Sequence, residues 1–182
     1  MGRPAASSDD IMTRLTIVTV LLTCASLVAS TADAQQKASA DIVDSAGKKV
    51  GEAILEQHGG SVQISATFRG LPPGPHAFHI HEVGKCDPPF ESAGAHVNPT
   101  GKQHGKDNPA GPHGGDLPNL EVPSSGGVKF DVTVKGLSLD GSPAGLLDAD
   151  GSALVVHEGA DDYKSDPAGD SGKRLACGVI QR

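Results

Sequence analysis

Eight histidines occur in this chain of 182 residues, and most of them fall into patterned positions. His79-Ile80-His81 sets two imidazoles at i and i+2. On a strand they share one face, about 6–7 Å apart, so their ring nitrogens can converge on one ion. The pair alone is a weak signal, because strands also carry histidines without metals. The residues that follow add weight: His96, His104, His113 and Asp116 lie in one Gly/Pro-rich tract, and His157 closes a later apolar run. Imidazole suits zinc and copper, and three His with one Asp suit a closed tetrahedral Zn²⁺ site. Ligation would also order a tract that holds almost no apolar residues. The competing reading is a solvated His-rich loop.

Such side chains need a scaffold, and the sequence predicts strands. Within 61–69, Val62, Ile64, Ala66 and Phe68 alternate with polar neighbours, the period of a half-buried strand. Further short runs are expected at 38–44, 49–56, 76–82, 127–134, 152–157 and 174–180. Ser45-Ala46-Gly47, His58-Gly59-Gly60 and Leu71-Pro72-Pro73-Gly74-Pro75 supply turns between them. Periodicity disappears from 84 to 125, a length suspect in a compact domain unless something else orders it. No helix-period segment of useful length occurs from residue 38 onward. The expected fold is therefore all-β, an antiparallel sandwich or barrel of about eight strands.

Composition agrees. Gly 24 and Pro 13, with 3% aromatic residues and no Trp, argue against a helical bundle or coiled coil. A net charge of −7, one Tyr and four Phe leave neither a phosphate-binding face nor a stacking platform. Nucleic acid is not an expected partner.

The first 34 residues read as a secretory signal peptide. Arg14 precedes an apolar run over 15–28, and Ala32-Asp33-Ala34 supplies the small-residue exit. A membrane anchor would need about 18 unbroken apolar residues, and Thr and Ser interrupt this shorter run. Asp9 and Asp10 sit oddly ahead of Arg14, so Met12 is a second candidate start. Cys24 raises a lipid anchor, against which Thr23 counts; without it no membrane partner is expected for the mature form. Removal leaves a domain at 35–182 with 13 Lys+Arg against 19 Asp+Glu, a net −6. It also leaves Cys86 and Cys177, which in an exported domain read as one disulfide. Two buried free thiols are the alternative.

Several motifs occur in a fixed order: Ala77-Phe78-His79-Ile80-His81-Glu82, Ser92-Ala93-Gly94-Ala95-His96-Val97-Asn98-Pro99, His104-Gly105, His113-Gly114-Gly115-Asp116-Leu117-Pro118-Asn119-Leu120, Val155-Val156-His157-Glu158 and Arg174-Leu175-Ala176-Cys177-Gly178-Val179-Ile180. Together they resemble the copper/zinc superoxide dismutase family over roughly 38–180. The resemblance implies a Greek-key barrel with a long metal-binding loop. It also implies dismutation of superoxide, the substrate, to dioxygen and hydrogen peroxide by copper alternating between Cu(II) and Cu(I). Copper would be held by His79, His81, His96 and His157, and a structural zinc by His96, His104, His113 and Asp116. His96 would bridge the two metals and act in catalysis with Arg174, the anion guide beside copper.

The resemblance further implies that Asp161 hydrogen-bonds ligand imidazoles of both metals and that Cys86 pairs with Cys177. His76 matches a structural histidine of the family, and His58 reads as a solvated turn residue. Lys164 and Lys173 are candidates for steering. Ala77 and Ala95 stand where Gly is common, and a Cβ at 77 would crowd a backbone that needs Gly. Val97 replaces a frequent Phe. The cysteine five residues after His81 resembles the exported bacterial branch, which with the signal peptide implies a periplasmic or secreted protein. A homodimer is one arrangement the resemblance allows. The rival function is an exported copper/zinc-binding or metallochaperone-like module without turnover. It would be signalled by a missing copper ligand or guide Arg, and neither is missing.

Overall fold

Alternating burial builds the first sheet segment of the computed structural model, which describes residues 1–2, 36–142 and 145–182. All but the first two residues of the expected leader at 1–34, its cleavage point and Cys24 lie outside the described residues. β1 (Lys37–Asp44), β2 (Lys49–His58) and β3 (Ser61–Arg69) form an antiparallel meander. Val62, Ile64, Ala66 and Phe68 of β3 all point into the core, as their spacing predicts. β4 (Gly74–His76) and β5 (Phe78–His81) follow, then β6 (Leu120–Val122), β7 (Gly127–Lys135), β8 (Ala153–His157) and β9 (Arg174–Val179).

The main sheet runs β5-β8-β9-β1-β2-β3-β7, antiparallel at every pairing, and curls around one apolar interior. β4 and β6 pair separately, from Gly74↔Val122 to His76↔Leu120. The long crossings that bring β7 beside β3 and β9 beside β1 give the over-and-back connections of a Greek-key barrel. Phe68, Phe78 and Phe130 meet edge to face at its centre, with centroids 5.3 and 5.2 Å apart.

Two local features differ from the pattern expected of the sequence. The run 76–82 is split at Ala77, whose carbonyl accepts from His157 N–H and whose N–H donates to the Gly159 carbonyl. Ala77 is not among the left-handed residues, so its backbone does not require glycine. The tract 84–125 also contains β6 and a 3₁₀ turn at Glu91–Ala93. Three residues are too few to show a period.

β8 explains why the run at 152–157 reads as continuously apolar. Leu154 and Val156 face the barrel core. Ala153 and Val155 face a second cluster with Phe90, Ala93 and Cys177. That cluster seats the loop 82–96 on the outside of the sheet, and a disulfide between Cys86 and Cys177 locks it there (Cα–Cα 5.6 Å). The bridge closes a separation of 91 residues. Cys177→Ser is expected to cost about 4–5 kcal/mol of unfolding free energy, the loop-entropy figure for a closure of that size. An unchanged denaturant midpoint would refute this.

Candidate metal centre

Strand period decides which way the histidines face. In β5, Phe78 and Ile80 enter the core, so His79 and His81 must project from the outer face. Their ring centroids are 6.4 Å apart, as the H-x-H spacing predicts. Two loop segments then dock along β5 through main-chain bonds. Val97 N–H donates to the Ile80 carbonyl (2.9 Å), Ile80 N–H to Gly115 (2.9 Å), Gly115 N–H to Val97 (2.8 Å) and Glu82 N–H to Ala95 (2.9 Å). A Cβ on Gly115 would collide with the Ile80 carbonyl oxygen, so glycine is required at this close approach. His96 is thereby laid beside His81 and Asp116 beside His79. The ladder of β5 with β8 brings in His157.

Two candidate ligand sets result, sharing His96. His79, His81, His96 and His157 form one; His96, His104, His113 and Asp116 form the other. Within each set, possible ligand atoms lie within 4.8 Å of one another. Outward hydrogen bonds decide which atom of each ring is left for an ion. His79 Nε2 meets Asp161 Oδ2 at 2.9 Å, leaving Nδ1. His81 Nδ1–H donates to the Gly94 carbonyl at 2.9 Å, leaving Nε2. His157 Nδ1 lies near Ser171 Oγ and the Gly172 carbonyl, and its Nε2 faces His81 Nε2 at 3.4 Å. His79 Nδ1 and His96 Nε2 are buried with no hydrogen-bond partner among the described residues. A native fold seldom strands two buried ring nitrogens side by side; a cation ligated between them accounts for both.

The second set fits a different ion. Asp116 Oδ1 lies 2.8 Å from His96 Nδ1, 3.0 Å from His104 Nδ1 and 3.3 Å from His113 Nδ1. His96 Nδ1 and His113 Nδ1 are 3.5 Å apart. A tetrahedron of zinc ligands has edges of about 3.3 Å, given bonds of about 2.0–2.1 Å. The other carboxylate oxygen, Oδ2, accepts from Gly105 N–H and His113 N–H, which aims Oδ1 inward.

Asp161 joins the two sets. Its Oδ2 holds His79 Nε2 and its Oδ1 holds His104 Nε2, both at 2.9 Å, with no exposure of its side chain. Sequence reasoning missed the residue that positions it. Asn119 donates Nδ2–H to the Asp161 carbonyl (3.0 Å) and accepts Asp161 N–H on Oδ1 (2.9 Å). Asn119 lies in the family-like motif at 113–120, but no local pattern ties it to Asp161.

Electrostatics separate the two sets. Burial pushes the imidazoles of the first set down: His81 to about 2, His157 to about 3, His96 to about 4, and His79 in the same direction. Neutral imidazoles are the ligating form. Burial also works against a charged His104, but its hydrogen bonds to Asp116 and Asp161 outweigh that and push it up to about 9. Burial would raise both carboxyls, yet His104 and His96 hold Asp116, and His104 and His79 hold Asp161, well below the usual carboxylate range.

Arg174 opens β9 at the mouth of the first set. Its Nη1 donates to the Phe90 carbonyl (2.7 Å) and its Nη2 to the Gly94 carbonyl (2.8 Å), both in the loop held by the disulfide. The surrounding cavity is also lined by His157, His81, Glu91 and Lys102. Lys102 was not anticipated, and neither Lys164 nor Lys173 lines the cavity. Asn98 clasps the Lys102 backbone through Nδ2–H to its carbonyl (2.8 Å) and Oδ1 from its N–H (3.0 Å). His76 lies outside both sets, its ring nitrogens 2.8 and 2.9 Å from the carbonyls of His157 and Pro72. His58, at the end of β2, is likewise apart from them.

A sequence model described as copper/zinc superoxide dismutase matches residues 49–180. Copper–zinc superoxide dismutase 1 of Aquifex aeolicus is 48% identical over 161 residues, covering 87% of this chain and 95% of the relative. The crystal structure of a superoxide dismutase-like protein from Bacillus subtilis superposes with a TM-score of 0.74 at 43% identity, over 78% of this chain and 96% of that one. The copper/zinc enzyme of Brucella abortus gives 0.62 at 30% identity, over 80% and 100%. With a family match over most of its length and two histidine sets sharing one imidazole, the chain belongs to the copper/zinc superoxide dismutase family.

Proposed function

We propose that this chain is an oxidoreductase that dismutates superoxide to dioxygen and hydrogen peroxide. The observation that carries the reading is the buried meeting of four imidazoles beside Arg174, two of their nitrogens having no partner among the described residues. His79 Nδ1 with Nε2 of His81, His96 and His157 would hold copper. Nδ1 of His96, His104 and His113 with Asp116 Oδ1 would hold zinc. When bound, copper supplies a one-electron couple that takes an electron from one superoxide and returns it to the next.

The chain's own residues do the rest. Arg174 attracts the anion locally, which matters because the domain at 35–182 carries a net −6. Its planar guanidinium, fixed by two carbonyls, leaves N–H groups for a two-point contact. In the half-cycle in which His96 Nε2 would not ligate copper, that atom would hold a proton, and it would pass the proton to the departing peroxide on ligating again. Solvent supplies the second proton, so two superoxides and two protons give one dioxygen and one hydrogen peroxide. Asp161 holds His79 and His104 in the tautomers that leave their Nδ1 atoms free to ligate.

The reading includes export. Residues 1–34 act as a secretory leader, and the domain at 35–182 works in the periplasm or outside the cell, as in the exported bacterial branch. The leader pattern and a disulfide, which persists in oxidising compartments, support this.

Pulse radiolysis tests the activity on mature protein loaded with copper plus zinc and with zinc alone. Fast second-order superoxide decay only in the copper form is expected. A filled copper site without accelerated decay would leave a metal-binding module.

Metal uptake should also depend on pH in different ways at the two sites. His104, at about 9, must lose a proton to ligate. Zinc affinity of the metal-free protein is therefore expected to rise between about pH 7 and 9, by up to about tenfold per unit for one displaced proton, and then level off. The copper set is already neutral there, with values of about 2 to 4 for three of its members. Copper affinity should stay flat over the same window. Chelator competition at several pH values reads both, and parallel slopes for the two metals would contradict the assignment.

A further inference from the structure

His157 ends β8 with Nε2 turned toward the other imidazoles, so the opposite edge of its ring decides how firmly it is held. Two groups lie there. Ser171 Oγ is 3.0 Å from His157 Nδ1, whereas the Gly172 carbonyl oxygen is 3.4 Å away. A carbonyl can only accept, so the proton belongs on Nδ1 and the serine oxygen is its closer acceptor. Ser171 is 2% exposed, which removes water as a competitor for that proton.

The main chain delivers the hydroxyl to this point. Asp170 (φ 51°) and Gly172 (φ 75°) flank Ser171 in the left-handed region, and the chain bends sharply on both sides of it. Asp tolerates that conformation better than most side chains, and Gly adopts it freely. Gly159 N–H donates to the Ser171 carbonyl at 2.8 Å, and Glu158 N–H donates to the Lys173 carbonyl at 2.7 Å. These two bonds close the loop 158–173 directly behind His157. The serine is therefore held by its backbone and is not a side chain that drifts into contact.

We infer that Ser171 is a positioning residue for His157. By accepting Nδ1–H it fixes the tautomer and ring angle that present the Nε2 lone pair to copper, and it raises the basicity of that nitrogen. This rests on the copper-ligand role proposed above for His157. Hydroxyl loss leaves only the 3.4 Å carbonyl contact, so the ring keeps a poor partner. The effect falls at the low end of what outer partners of metal ligands contribute, about ten- to a hundredfold.

The test uses zinc-loaded mature protein and Cu(II), comparing Ser171→Ala with the unaltered chain and with His157→Ala. Copper affinity from chelator competition is expected to fall about tenfold in Ser171→Ala. Zinc affinity and the denaturant midpoint should not change. A less basic His157 also predicts an altered Cu(II) hyperfine splitting in the electron paramagnetic resonance spectrum and a more positive reduction potential. Unaltered copper affinity, spectrum and potential in Ser171→Ala, with copper lost in His157→Ala, would overturn the positioning role alone. Loss of both metals in Ser171→Ala with a lower midpoint would overturn it too, since the serine would then be supporting the loop. Full copper affinity in His157→Ala would instead overturn the ligand assignment.

Discussion

Asp161→Ala is expected to weaken copper and zinc binding together, each by about ten- to a hundredfold. A single buried carboxylate holds one imidazole from each set, through Oδ2 to His79 and Oδ1 to His104. Its removal leaves His79 Nε2–H, His104 Nε2–H and the Tyr163 N–H without this acceptor, and each buried ring N–H left so costs about 1–3 kcal/mol. Both rings are then free to rotate away from the ligating orientation. Asp161→Asn sharpens the test. An amide has one accepting oxygen, so it can serve one ring and must present N–H₂ to the other. The asparagine variant should therefore keep one metal near full affinity and lose the other. Metal contents after competition with a chelator decide the matter, and retention of both metals in the alanine variant would refute the bridging role.

Arg174→Ala is expected to slow superoxide decay by about ten- to a hundredfold, within the range over which local fields alter association. Copper and zinc contents should stay at those of the unaltered protein. The variant should also lose most of the salt dependence, because the attraction it removes is the part that salt screens. Arg174→Lys should recover only part of the rate. A lysine can supply the charge but not the fork that reaches the carbonyls of Phe90 and Gly94 together. Copper loss from the alanine variant would mean that Arg174 anchors the loop 82–96 and does not guide an anion.

The two histidine clusters were legible in the sequence because ligation would restrict both residue type and spacing. Two histidines on one strand face, with a cluster of histidines and one aspartate in an apolar-poor tract, are hard to place in a fold that binds no metal. The barrel was legible for a similar reason, since Val62, Ile64, Ala66 and Phe68 must all choose one side. β8 read correctly as a strand, but the reason for its unbroken apolar run, burial on both faces, appears only once Phe90 and Ala93 are in place. β6 was hidden by its length of three residues. Asn119, Lys102 and Ser171 escaped notice for a different reason. Each is a common surface-type residue whose role depends on a partner 14 to 42 positions away or on the path of an aperiodic loop. Lys164 and Lys173, the candidates for steering, lie outside the cavity lining, because the fold decides which lysine borders the mouth.

The carbonyl oxygen of Gly94 accepts from two donors, His81 Nδ1 at 2.9 Å and Arg174 Nη2 at 2.8 Å. Both of its lone pairs are thus occupied. Gly94 itself has φ 76°, and a Cβ there would press on Glu82 and Val83, so the turn has little freedom to shift. One atom therefore works as a gauge block between the proposed landing point of the anion and the proposed electron-transfer centre. Their spacing is not adjustable by moving either residue alone. A displaced turn would put the ligand and the guide out of alignment in the same instant, so damage at this point should show as an abrupt loss of function and not as a gradual decline.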